Sequence, residues 1–305
     1  LRDAEDVPVW VQSFKNSFLQ TSLGQFIIHG NVHDLVFASN RSWSMAQFFD
    51  RFFEPGQKVI VHYDPSRGIF FPHDGHAARA AVSWVQSGFL AESSVLPRGM
   101  ENTSDRMLAE AVRTQLGMER NPDIALEALE HLLLDRELQV ALIIHYAELI
   151  APAGGTNQSF ADRTAAARLH RWSLSDSITR GNNVVFMLVD SIAALSSRLA
   201  RNPRVLTLKV SLPNQELRTR FITALDVDPK TKSGQILARA SAGLQLRQIE
   251  DLVLSTRSKS GRFSLGLEEL LAQKKQILEQ ECQGLIEVVQ PSHDFSDVGG
   301  MTHLK

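Results

Sequence analysis

Apolar and polar positions alternate along this chain with two different periods, and the switch between them outlines its organisation. Over residues 8–19, Val11, Phe14, Phe18 and Leu19 recur at helical spacing, which predicts an amphipathic first helix closed near Gly24. Residues 25–28 read as a short apolar strand. His29-Gly30-Asn31 then turns the chain, and residues 34–37 resume an extended path. A helix over 45–53 stops at Pro55-Gly56, and a β-branched strand over 58–63 breaks at Asp64-Pro65. A second extended piece over 69–71 precedes helices near 77–85 and 103–116. Another helix starts at Asn121-Pro122-Asp123, with proline in the first helical position, and runs to about 134.

The middle of the chain sets the fold class. Residues 139–146 form a nearly continuous apolar run, followed by a polar loop, a helix over 163–179, a second apolar run over 183–189 and a strand over 206–210. Runs that are apolar on both faces and alternate with helices predict a parallel sheet covered on both sides. Beyond Pro213 the pattern is helical only, over 215–225, 233–240, 246–257 and 267–282. The expectation is an α/β fold, with a parallel P-loop-type sheet sandwiched by helices and followed by a small all-helical lid. The expected boundaries are 1–24 for the first helix, 25–213 for the sheet domain, 214–283 for the lid and 284–305 for a linker into a further domain.

Composition narrows the function classes. Of 305 residues, 43% are hydrophobic and 22% charged, with 32 basic against 34 acidic side chains. A formal charge of -2 supplies no global field for nucleic acid or an anionic membrane, so neither is an expected partner. The single Cys282 excludes an internal disulfide framework and suits a reducing cytoplasm, where packing is its expected role. Apolar runs such as 140–144 are far shorter than the roughly 20 residues that span a bilayer, so no membrane insertion is expected. The chain starts at Leu1 without a basic-then-apolar leader, which reads as a cut from a longer frame.

If the sheet binds nucleotide, the strand over 58–63 leads into the expected phosphate loop, Tyr63-Asp64-Pro65-Ser66-Arg67-Gly68-Ile69-Phe70. A working loop needs glycines, a lysine for the β- and γ-phosphates and a hydroxyl for Mg²⁺. Ile69 stands at the lysine position and Phe70 at the hydroxyl position, which predicts a degenerate loop. The alternative, with Arg67 supplying the charge, requires a different backbone path. The acidic pair expected after the strand over 140–146 is replaced by His145 and Tyr146, with Glu148 left as a stand-in base. Histidine and tyrosine are poor substitutes for hard carboxylates on Mg²⁺. After the next strand, where an Asn or Thr would sense the γ-phosphate, stands Val189-Asp190-Ser191.

Other features have both a functional and a plain reading. Arg201 and Arg204 precede the strand over 206–210, the place of arginine fingers in ring ATPases. The plain reading is a solvated arginine pair in a turn. Arg247 stands near a second-sensor position, or is one exposed arginine on a helix. The loop Ala153-Gly154-Gly155-Thr156-Asn157-Gln158-Ser159 faces a pore or a neighbour, or is a mobile turn. The pairs His29/His33 and His73/His76 lack the third and fourth ligands zinc needs, so no metal site is expected. No Gly-x-Ser-x-Gly elbow is present for nucleophilic catalysis.

The final residues carry a resemblance. Gly284-Leu285-Ile286-Glu287-Val288-Val289, Pro291, Phe295-Ser296-Asp297-Val298-Gly299-Gly300 and Leu304-Lys305 resemble the linker and first residues of the ATPase domain in the Ycf-forty-six family of bacterial and plastid AAA proteins. The resemblance implies that this chain is a catalytically inactive AAA-like module ahead of an intact ATPase domain. It implies ATP and Mg²⁺ for the parent protein, and none for this chain alone. Val298 and Gly299 would then lie on the adenine side of the following domain, which would be a partner together with neighbouring subunits of a ring. Two alternatives remain, a nucleotide-binding module with an altered loop and a signalling scaffold that forms no ring.

Overall fold

The computed structural model describes residues 7–20, 23–53, 58–90, 105–115, 120–154, 158–256 and 267–281. The chain divides into two units, Leu1–Leu212 and Pro213–Lys305.

In the first unit, α1 (Val9–Gln20) leads into β1 (Gln25–Gly30), and the hairpin β2 (Val36–Ala38) and β3 (Arg41–Trp43) precedes α2 (Met45–Phe53). Strand β4 (Val59–Asp64) turns back on β5 (Gly68–Phe70), and α3 (Asp74–Gln86), α4 (Asp105–Gln115) and α5 (Pro122–Leu134) follow. Asn121 caps α5 by accepting the Asp123 N–H at 3.0 Å. Then come β6 (Val140–Ile144), the single turn α6 (Ala147–Ile150), α7 (Phe160–Leu174), α8 (Asp176–Arg180) and β7 (Val184–Val189). A 3₁₀ turn (Ile192–Ala194), α9 (Ser197–Ala200) and β8 (Val205–Val210) complete the unit.

The main sheet runs β5-β4-β6-β7-β1-β8. All neighbouring pairs are parallel except the β4–β5 hairpin at the edge. The fold is a mixed α/β, Rossmann-like layer structure with a mainly parallel sheet between helices.

Strand side chains alternate between two apolar layers. Val59, Val61, Leu142, Ile144, Val185 and Met187 pack on one face with residues of α3, α5 and α7. Phe26, Ile28, Ile60, Ile143 and Phe186 pack on the other with α1 and α2. The second layer is aromatic, with Phe49 4.5 Å and Phe14 4.9 Å from Phe186 between ring centroids. Such edge and offset pairs add about 0.5–1.5 kcal/mol each beyond the area they bury.

Three local expectations are corrected. Leu19 is 77% exposed, and Trp10 shares the buried face of α1 with Val11 and Phe14. The helix expected over 163–179 starts earlier and divides into α7 and α8, because Ser159 and Asp162 form a capping box on α7 and the chain leaves helical geometry at Ser175. The extended segment after Asp34 is a hairpin with its turn at Ser39 and Asn40, both with positive φ.

The described residues of the second unit comprise the helices α10 (Gln215–Ala224), α11 (Lys232–Ala240), α12 (Leu246–Thr256) and α13 (Leu267–Glu281), with their connecting turns. Arg218 is buried there and donates to the carbonyls of Pro213 and Ala238 at 2.8 and 3.2 Å.

Candidate ligand site at the carboxyl edge of the sheet

Open parallel sheets bind ligands outside the carboxyl ends of their strands, at the point where successive connections pass to opposite faces. Here α2 follows β1 on the aromatic face, whereas α9 follows β7 on the other, with Leu199 in the layer of α5 and α7. The switch point therefore lies between β1 and β7.

This topology corrects the expected phosphate-loop position. The segment after β4 does not run from a strand into a helix, as a phosphate loop must. It is the hairpin turn between β4 and β5 at the sheet edge. Ile69 is 2% exposed and pairs with Tyr63, and Phe70 pairs with and stacks on His62, ring centroids 5.0 Å apart. Neither residue occupies a phosphate-loop position.

The segment at the switch point is Gly30 to Leu35. Gly30 has φ +94° and donates its N–H to the Asp190 carbonyl at 3.1 Å. Asn31 donates its N–H to the Val210 carbonyl at 3.0 Å, and Val32 to Gly30 at 2.7 Å. Asp34, 2% exposed, accepts from the Leu35 N–H and the Asn31 amide, both at 2.7 Å. Thus four backbone N–H groups of this turn are engaged by the protein itself. His33 reaches across to Asp190, Nε2 to Oδ1 2.7 Å, and stacks on Tyr146 at 5.3 Å.

At the end of β6 the chain passes through Tyr146 in the left-handed region, φ 52°, before α6. Glu148 in α6 has a buried Oε2 with no hydrogen-bond partner among the described residues. Burial, with the Asp190 charge adding to it, pushes the Glu148 carboxyl above its ordinary range.

His145 begins a hydrogen-bonded series running into the core. Its Nε2 lies 3.0 Å from His62 Nδ1, and His62 Nε2 lies 2.8 Å from Asp50 Oδ1. His62 is 1% exposed. Burial, the neighbouring His62 and the Arg67 charge lower His145 to about 4, with Asp64 opposing them, so it is neutral at physiological pH. Burial also disfavours the Asp64 carboxylate, but hydrogen bonds from the Ser66 hydroxyl and N–H, at 2.6 and 2.7 Å, outweigh it and hold the group below its ordinary value. These groups border a cleft of about 210 Å³ whose lining includes His33, Asp64, Arg67, Phe70, His145 and Tyr146.

Of the residues singled out in the sequence, the fold brings Phe70 and His145 to one cleft, and sets Glu148 close enough to His33 and Asp190 to feel their charges. Arg201 and Arg204 lie on the exposed turn before β8, outside that lining. Buried Asn202 holds the turn, accepting the Arg204 N–H at 2.9 Å and donating to Ser173 at 2.8 Å. Arg247 opens α12 in the second unit. Among the described residues no group of three or more His, Cys, Asp or Glu is arranged to hold a metal. Val298, Gly299, Cys282 and positions 155–157 of the polar loop lie outside the described residues.

Sequence reasoning missed Asp50 and His62. The available signal was a polar residue, His62, inside a strand apolar on both faces, which needs a buried partner.

The family model for the AAA+ chaperone, N-terminal Rossmann-like domain, matches residues 2–211. The chain belongs to this family. The matched AAA+ chaperone domain covers all the strands of the sheet and the cleft at their carboxyl edge. Among solved structures the chain is similar to one from the E. coli MS115-1 HORMA:CdnC:Trip13 complex, at 16% identity and a TM-score of 0.43 over 82% of this chain and 73% of that one. No curated protein matches. Among the described residues no helix is long and apolar enough to cross a membrane.

Proposed function

We propose that this chain is the catalytically silent AAA-like module of an AAA family ATPase, giving assembly surface and regulation to a following domain that binds and hydrolyses ATP with Mg²⁺. The turn after β1 carries this reading. A phosphate site works by pointing unengaged backbone N–H groups at an anion, assisted by a lysine. Here the N–H groups of Gly30, Asn31, Val32 and Leu35 are bonded within the protein, and the turn contributes the acidic Asp34 and no lysine. A nucleotide's phosphates do not fit that arrangement, and His145 in place of a carboxylate leaves Mg²⁺ without a hard ligand at the end of β6.

The proposed setting is cytoplasmic, in a parent of the Ycf-forty-six type, with the next domain and neighbouring ring subunits as partners. Arg201 and Arg204, exposed on a turn pinned by Asn202, would face a neighbour's site. Calorimetric titration of MgATP into this chain tests the reading. No saturable binding is expected, and saturable micromolar binding would favour a nucleotide-binding module with an altered loop.

A further inference from the structure

The cleft beside Arg67 has a chemistry that silent assembly does not use. At about 210 Å³ it lies below the ~300–1,000 Å³ of pockets for drug-sized molecules, so it suits a ligand of few heavy atoms. Val32, Met45 and Leu188 make part of its lining apolar.

Its polar groups form a pattern of two signs. The Arg67 guanidinium lies 4.0 Å above the Phe70 ring and, among the described residues, forms no ion pair. A cation resting over a ring, without a counter-ion, is an anchor for a carboxylate. Three residues before it, Asp64 is 8% exposed, accepts both bonds from Ser66 on Oδ1 and is held in its ionised form by its hydrogen bonds, so it presents a negative charge to the cleft it lines.

His145 adds a second acceptor, and its tautomer follows from the buried series. The Asp50 carboxylate can only accept, so His62 places its hydrogen on Nε2 and offers a bare Nδ1. His145 must then carry its hydrogen on Nε2, toward His62, which leaves its own Nδ1 as a lone-pair acceptor. No described residue donates to that nitrogen. The cleft thus combines one unpaired cation with two acceptors and an apolar wall. A simple anion would meet Asp64, and a simple amine would meet Arg67.

We propose that this cleft binds a free α-amino acid with a short aliphatic side chain, its carboxylate on Arg67, its ammonium between Asp64 and His145, and its side chain against Val32, Met45 and Leu188. A zwitterion satisfies both signs at once. The site does not depend on whether the module is silent toward nucleotide.

Titration of the full chain with L-valine, L-leucine and L-methionine, followed by calorimetry and ligand-observed NMR, tests the proposal. At least one should saturate a single site. For leucine as the probe, 4-methylpentanoate lacks the ammonium and 3-methylbutylamine lacks the carboxylate, and each should bind at least about tenfold more weakly, the loss of one charged hydrogen bond. Arg67→Ala, at an exposed position, should weaken the best of the three amino acids by a similar factor without changing the thermal melt. Asp64→Asn should weaken the same amino acid by a similar factor, measured below the variant's own melting temperature, and a second variant, Val32→Phe, should block the apolar wall. Saturation by none of the three, equal binding of 4-methylpentanoate, or full affinity in Arg67→Ala would overturn the proposal.

Discussion

A Cβ placed on Gly30 would stand 2.8 Å from the carbonyl oxygen of Val210, on the strand beside it. Gly30 has φ +94°, and its neighbour Asn31 donates to that same carbonyl at 3.0 Å. The close approach lets the turn after β1 bond to both flanking strands, through Asp190 on one side and Val210 on the other. Glycine is needed there for two independent reasons, the sign of φ and the nearness of backbone.

Gly30→Ala should therefore destabilise the first unit by about 3 kcal/mol, the strain of a positive φ together with a displaced backbone carbonyl. A urea titration would read this as a lower midpoint with an unchanged slope. An unchanged midpoint would show that the turn relaxes freely.

Asn183 ties three segments together from inside. Its Oδ1 accepts the Val140 N–H at 2.8 Å, and its Nδ2 donates to the carbonyls of Leu133 and Ile178 at 2.9 and 3.3 Å. At 1% exposure, no water replaces it. Asn183→Ala should cost about 2–4 kcal/mol by leaving buried partners unpaired. Asn183→Asp should cost more, because a carboxylate loses both donors and buries a charge. Equal stability of the three proteins in denaturant would contradict this account.

Acid should weaken the first unit in a defined window. His145 titrates at about 4 in the folded protein against an ordinary 6.5, so the unfolded chain binds the extra proton between those values. Stability then rises with pH across that interval, and on acidification up to roughly 3 kcal/mol is lost between the ordinary and the folded value. Asp64, held low, contributes stability that is lost at still lower pH, as acidification passes through its folded value. His145→Phe should flatten the loss in the upper interval, and stability measured against pH checks it. A His145 imidazole that titrated near its ordinary value by NMR would refute the prediction.

In the second unit, Gly234 lies in the first turn of α11 and receives no room for a side chain. A Cβ there would run into the Asp228 carbonyl oxygen, while the Gly234 N–H donates to the Thr231 cap at 3.1 Å. Gly to Ala in a helix ordinarily gains about 1 kcal/mol. Here the steric term should win and Gly234→Ala should destabilise. Hydrogen exchange should accelerate over residues 213–256, with protection in β1, β6 and β7 unchanged. A stabilised second unit would mean that the turn at Asp228 yields easily.

Much of the fold was legible because burial on two faces leaves a mark on composition. The run Val140–Ile144 and the run Val184–Val189 are apolar at every position, as strands between two helical layers must be. Helix α5 declared itself through Asn121 and Pro122, since a cap and a fixed φ act locally. The site was less legible. His145 stood out by position, whereas Asp50 and His62, 12 residues apart on a helix and a strand, make sense only as a hydrogen-bonded pair.

The sequence by itself determined the main strands and helices, and that the sheet is largely parallel and covered on both sides, because propensity, capping and two-faced burial are properties of short stretches of chain; the β2–β3 hairpin, the antiparallel β5 and the break between α7 and α8 came only with the structure. The order of strands was decided only by the tertiary structure. β1 is first in sequence yet lies between β7 and β8, with β4 near the edge. That order moves the switch point from the loop after β4 to the turn after β1, and with it the meaning of Ile69 and Phe70. Long-range pairing depends on how whole faces match across the sheet, and no local pattern encodes which strand becomes whose neighbour.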